Sequence, residues 1–199
     1  MSELIKQSKS EKFLIGLILI LITLIIYIFV ILPNKCLFVK DYDPKKINFE
    51  KPENISVLNV SCGNVIIELY PDISPVAVKR FKMLIQAGKY DDVAFHRVIK
   101  DVLVQAGDLE YGKKDNINYT YIGSGKSGLG LIKSELNKKN TEDSQFFILL
   151  QDSPAFNGRY TPVGKVLYGI EVLKKIKNND KSDYVLRPDF INSFKLLIN

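Results

Sequence analysis

The sequence predicts a mainly β domain with two helices, preceded by one helix long enough to cross a bilayer. Three observations carry this expectation. Phe13 to Leu32 is an unbroken apolar run; from Ile55 onward, short β-rich stretches alternate with Gly, Asp, Asn and Lys; and Ser74-Pro75 to Gly88 encloses a single helical pattern.

The apolar run contains Leu, Ile, Val, Phe, Tyr, Thr and Gly and no charge. About 20 residues at ~1.5 Å each match a hydrocarbon core of ~30 Å, so residues 13–33 are expected to span a membrane, behind an N-terminal tail at 1–12. A cleaved leader would have a shorter apolar region ending in small residues, whereas this run ends in Ile31-Leu32-Pro33-Asn34-Lys35. An uncleaved anchor is therefore the expectation. Residues 34–54 hold Pro, Lys, Asp and Asn with little periodicity and read as a tether.

One globular unit of residues 55–199 follows, since 199 residues are too few for two ordinary domains once the leader is set aside. It opens with period-2 stretches, Ile55, Val57 and Asn59, then Val65, Ile67 and Leu69, on either side of Cys62-Gly63-Asn64, the pattern of a β-hairpin. Ser74 as N-cap and Pro75 at the first helical position start a helix. Ala77, Phe81, Leu84 and Ile85 give it one apolar face, and Gly88 ends it. Val93 to Ile99, Val102 to Gln105, Ser144 to Leu150 and Tyr160 to Val166 read as short strands of a closed sheet. A second helix is expected from about Ile170 to Ile176, and Phe190 to Ile198 would complete the sheet.

The charge balance is 28 Lys+Arg against 22 Asp+Glu, a formal +6. Lys6, Lys9, Lys12, Lys35, Lys40, Lys45 and Lys46 flank the apolar run, and the remaining cations are scattered among acids. No basic stripe interleaved with aromatics points to nucleic acid. Lysines on both sides leave the positive-inside rule nearly silent on orientation. Three glycosylation sequons, at Asn54, Asn59 and Asn118, tip the domain toward the lumenal or extracellular side. The two cysteines, Cys36 and Cys62, have neither metal-knuckle nor redox-pair spacing, and sequence leaves their pairing open. With one histidine and no Cys or His cluster, no metal site is expected, and no cofactor.

Gly63-Asn64-Val65-Ile66-Ile67-Glu68-Leu69-Tyr70-Pro71, Phe95-His96-Arg97-Val98-Ile99 and Ser144-Gln145-Phe146-Phe147-Ile148 together resemble the cyclophilins. The resemblance runs from about Ile55 to Asn199. It implies a closed eight-stranded antiparallel barrel capped by two helices, and a peptidyl-prolyl cis/trans isomerase acting on proline-containing client polypeptides at a membrane. It assigns the catalytic roles to Arg97, Gln105 and Phe147. Val102, Leu103, Glu135, Leu136, Asn137, Phe156, Tyr160 and Val163 would line the substrate groove. Taken alone, Gln105 reads equally as a polar residue of the barrel wall, Phe147 as core packing and His96 as a structural histidine. The chain departs from the family's pattern at the groove: Val102-Leu103 replaces Phe-Met, Ser134-Glu135-Leu136 replaces Met-Ala-Asn, Ala155-Phe156 replaces Trp-Leu, and Tyr160 replaces a histidine. Weak or absent cyclosporin binding follows from the missing tryptophan. A catalytically weak proline-binding adaptor and a structural subunit of a membrane assembly are the alternative readings.

Overall fold

The computed structural model describes residues 8–124, 144–179 and 181–198. The chain divides into two compact units, one ending at Phe38 and the other comprising Val39–Asn199. The first is built on helix α1, Lys9–Ile26, which continues as a wider turn over Tyr27–Ile31. Ser8 opens α1 with a capping box: its hydroxyl accepts from the Glu11 amide, and the Glu11 carboxylate accepts from the Ser8 amide. No side chain of α1 is buried within the chain, and Lys9–Ile31 is long and apolar enough to cross a membrane.

In the second unit the described residues form seven strands in two sheets. Strands β1 (Ile55–Val60) and β2 (Gly63–Leu69) form the expected hairpin, with Ile55 opposite Glu68 and Val60 opposite Gly63. Strands β6 (Gly164–Tyr168) and β7 (Ser193–Leu196) flank it, giving the order β6-β2-β1-β7. The second sheet is β3 (Arg97–Ile99), β4 (Leu103–Ala106) and β5 (Phe146–Leu149), in that order. Isolated bridges pair Ala94 with Phe190 and Arg97 with Tyr184, so the segment before β7 runs alongside β3.

Helix α2 (Pro75–Gln86) buries Ala77, Val78, Phe81, Leu84 and Ile85, the face its periodicity marks. Ser74 does not cap it with its side chain. The hydroxyl instead donates to the Pro162 carbonyl at 2.8 Å, tying the helix start to the segment that leads into β6. Phe81 then joins Tyr90, Phe146 and Phe194 in a cluster whose six ring pairs lie 5.3 to 5.9 Å apart. Aromatic pairs at such spacings add to the ~1.5–3 kcal/mol that burying a large apolar side chain contributes. Helix α3 is one turn, Ile170–Leu173, shorter than the Ile170–Ile176 expected. Beyond Leu173 the chain turns instead, with amides of Lys175 and Ile176 bonding carbonyls three residues back.

The segment read as a tether carries structure within the second unit. Asp41 accepts from the Asn64 amide at 2.8 Å, Asn64 donates to the Tyr42 carbonyl, and the Tyr42 ring lies 5.1 Å from that of Tyr168. Pro44–Lys46 and Pro52–Asn54 are single 3-10 turns.

Candidate functional site: a row of three residues beside an aromatic pocket

The register of the second sheet places three side chains in one line. Arg97 on β3 is directly opposite Gln105 on β4, and Gln105 is directly opposite Phe147 on β5. Directly opposed residues point to the same face, so the three form a row across the sheet. Phe146, one residue away, points the other way, into the core cluster.

What fixes this register lies at the end of β4. Gly107 has φ +94, and a Cβ there would run into the Ser144 carbonyl. A glycine lets the backbones approach, and the Ser144 hydroxyl donates to the Gly107 carbonyl across the gap. The Tyr90 phenol donates to the Ser144 carbonyl at 2.9 Å, linking β5 to the core cluster. The chain pattern Gln105-Ala106-Gly107 thus holds Gln105 at the height of Phe147.

In the row, Arg97 Nη1 points at Gln105 Oε1 at 3.4 Å, and Gln105 Nε2 donates to Gln145 Oε1 at 3.0 Å. Arg97 Nη2 donates to Asp183 Oδ2 at 3.0 Å; the arginine side chain is 30% exposed and that of Asp183 50%. Asp183 carries no sequence signal: it lies in an aperiodic stretch, and only the tertiary fold brings it to the groove. Phe147 is 8% exposed. Its ring lies 5.5 Å from Phe156 and 5.2 Å from Tyr160, which stack on each other at 5.2 Å with 25° between planes.

These rings form the mouth of a pocket of about 750 Å³ that Pro162 and Val163 also line. Ile148 of β5, Val166 of β6 and Phe81 of α2 also line the pocket. Arg97 and Gln105 stand beside this mouth rather than in its wall. Val163 is 3% exposed, and its carbonyl accepts from the Tyr70 amide. Leu103 is fully buried, on the same face as Gln105 and opposite Leu149. Val102 sits in the β3–β4 turn, its carbonyl accepting from the Leu150 amide, and does not line the pocket. Glu135, Leu136 and Asn137 lie outside the described residues.

His96 points away from the row and is 1% exposed. Burial pushes its pKa down to about 4, against the opposing pull of the Asp108 carboxylate. Gln145 and the Ala94 backbone also oppose the shift, yet neither ring nitrogen meets hydrogen-bond geometry among the described residues. A neutral, enclosed imidazole is poorly placed for proton transfer to a substrate. The groove therefore offers a fixed cation, an amide and an apolar mouth, a set suited to holding and polarising an amide bond.

The chain is similar to known proteins over most of this domain. Residues 55–196 match the family described as cyclophilin type peptidyl-prolyl cis-trans isomerase. A probable peptidyl-prolyl cis-trans isomerase of Brucella suis is 36% identical over 158 residues, covering 70% of this chain and 81% of that protein. A peptidyl-prolyl cis-trans isomerase of Arabidopsis thaliana is 35% identical over 151 residues, covering 70% and 88%. Among solved structures, a Cryptosporidium parvum cyclophilin crystallised in the presence of the dipeptide Ala-Pro superposes with a TM-score of 0.55 at 28% identity, covering 73% of this chain and 99% of that one. With the family match extending from the first strand to the last, the chain belongs to the cyclophilin-type peptidyl-prolyl cis-trans isomerases.

Proposed function

We propose that the Val39–Asn199 unit catalyses cis/trans isomerisation of X-Pro bonds in client polypeptides, with Arg97, Gln105 and Phe147 as its working residues. The observation that supports this most directly is their single row across β3, β4 and β5. Rotation about an X-Pro bond faces a barrier of ~18–20 kcal/mol because of amide resonance, and it proceeds unaided over tens to hundreds of seconds. No covalent bond is made or broken. In this reading the proline ring enters the mouth formed by Phe147, Phe156, Tyr160 and Val163, with Leu103 beneath. Gln105 holds the backbone on one side of the rotating bond. Arg97 donates to the prolyl nitrogen as it pyramidalises, which withdraws its lone pair from resonance and lowers the barrier. Glu135, Leu136, Asn137 and Val102 complete the rim in this proposal, and the two sheets close into the family's eight-stranded barrel.

The site works at a membrane surface in this reading, anchored through residues 13–33 with the domain lumenal or extracellular. Two observations support that placement. Lys9–Ile31 is long and apolar enough to cross a membrane and carries no charge after Lys12, and neither Cys36 nor Cys62 is a free thiol, the state an oxidising compartment maintains.

The test is a protease-coupled isomerisation assay on the detergent-solubilised chain, beside Arg97→Ala. The expected result is an accelerated slow phase in the wild type that Arg97→Ala removes. Tight binding of proline peptides without acceleration would instead establish the adaptor.

A further inference from the structure

Arg97 does not meet its substrate groove as an unattached cation. Its guanidinium is a planar fork of donors, so fixing one edge fixes the direction of the rest. Two partners compete to set that plane. The contact to Gln105 Oε1 is long, 3.4 Å, and its acceptor is neutral. The contact to Asp183 Oδ2 is 3.0 Å and charge-assisted, a class roughly twice as strong. Gln105, moreover, is held from its other end by Gln145. The carboxylate therefore dominates.

Asp183 is itself rigidly presented. Its carbonyl accepts from the Val98 amide at 2.8 Å, Tyr184 bridges Arg97, and the Val185 amide donates to the His96 carbonyl at 3.0 Å. Ser182 Oγ accepts from the Tyr184 amide, and Asn179 donates to the Tyr184 carbonyl. The acid thus sits on backbone stitched to the strand that carries the arginine, and the pair moves as one body. A pair this exposed contributes little to folding. Its consequence lies in orientation.

We infer that Asp183 is a positioning residue for the arginine of this site: it anchors Nη2 and so fixes the plane in which the remaining guanidinium donors meet the substrate. The effect on turnover rests on the isomerase reading above; the orientation of Arg97 does not.

The experiment compares wild type, Asp183→Ala and Asp183→Asn in the detergent-solubilised full chain, with Arg97→Ala as reference. Three measurements are made: kcat and KM on a proline peptide at low and high salt, nitrogen NMR of the Arg97 guanidinium, and thermal unfolding. Asp183→Ala is expected to lower kcat about three- to tenfold with KM near wild type, since small misplacements of a catalytic group cost rate. Asp183→Asn, which keeps an acceptor oxygen, is expected to recover most of that loss. Added salt should lower wild-type kcat and leave Asp183→Ala unchanged, with unfolding temperatures alike. The Arg97 resonances should show faster guanidinium rotation in Asp183→Ala. An unchanged or raised kcat in Asp183→Ala would overturn the inference, as would Arg97 resonances identical in both proteins. Wild type inactive on every peptide, with Arg97 resonances that still depend on Asp183, would sink the isomerase reading while upholding the positioning.

Discussion

Gln105 faces Arg97 directly across the β3–β4 ladder, with 3.4 Å between Oε1 and Nη1. That opposition leaves a peptide two fixed polar contacts on one side of the aromatic mouth. Arg97→Ala is expected to lower kcat/KM by about 10²–10³, the scale of losing a preorganised donor. Arg97→Lys should restore little, because a single mobile ammonium cannot reproduce the fork. Gln105→Ala should cost about tenfold, a single hydrogen bond's worth. Rates measured on a proline tetrapeptide check all three, and an Arg97→Ala enzyme with wild-type rates would remove the basis of the mechanism.

Stability should depend on pH through His96, the chain's one histidine. Burial lowers its folded pKa to about 4, below the unfolded value of 6.5. The unfolded chain therefore binds the proton more readily between those values, and the contribution present above pH 6.5 is lost as pH falls toward 4. The loss between pH 7 and 5 is about 2 kcal/mol by linkage. Urea midpoints of the detergent-solubilised chain should fall accordingly, and His96→Gln should flatten that slope. Midpoints constant between pH 7 and 5 would show that His96 titrates normally.

Ala155, an exposed residue, leaves the pocket mouth to Phe156 and Tyr160. A large cyclic ligand such as cyclosporin loses an indole contact here, worth on the order of 1–3 kcal/mol by buried area. Calorimetry is expected to show binding weaker than that of a tryptophan-bearing relative by at least tenfold, which corresponds to about 1.4 kcal/mol. Affinity equal to such a relative's would mean that the Phe156–Tyr160 stack substitutes for the indole. Phe156→Ala should then weaken it further.

The three sequons are not equivalent in the folded domain. Asn54 is 8% exposed and accepts from Lys82, Asn59 lies within β1 bonded to Asn64 and Asn192, and Asn118 is exposed in a loop. A domain placed in the lumen is expected to carry one glycan, at Asn118, and Asn118→Gln should abolish the endoglycosidase-sensitive mobility shift. The chain should also resist alkaline carbonate extraction. Removal of the domain by protease added outside sealed vesicles would place it in the cytoplasm instead.

Local signals made part of this fold legible. Helix α2 was readable because both ends are marked chemically: Pro75 fits the first turn, where no amide is needed, and Gly88 adopts φ +62 just past the last turn. The β1–β2 hairpin was readable from alternation around Gly63. What escaped reading depends on chain segments meeting from afar. Ser74 signals a cap, but Pro162, 88 residues away, takes its hydroxyl. Asp41 lies in a stretch without periodicity, yet it fastens the Asn64 turn. The acid beside Arg97 is Asp183, and nothing in its neighbours Ser182 and Tyr184 marks it in the sequence. Gln105 and Phe147 were legible only through whole motifs, since either alone reads as wall or core.

Arg97 and Asp183 are separated by 86 residues, and the stretch that delivers Asp183 also supplies the backbone partners of Val93, Phe95 and Val98. During synthesis, β3 emerges long before those partners exist. The groove therefore cannot assemble on a nascent chain until residues 183–191 have left the ribosome, however early the β1–β2 hairpin and α2 form. Pairings of such high sequence separation are slow to form. The protein must consequently complete its own fold, including any of its own prolyl rotations, before it can assist another chain's.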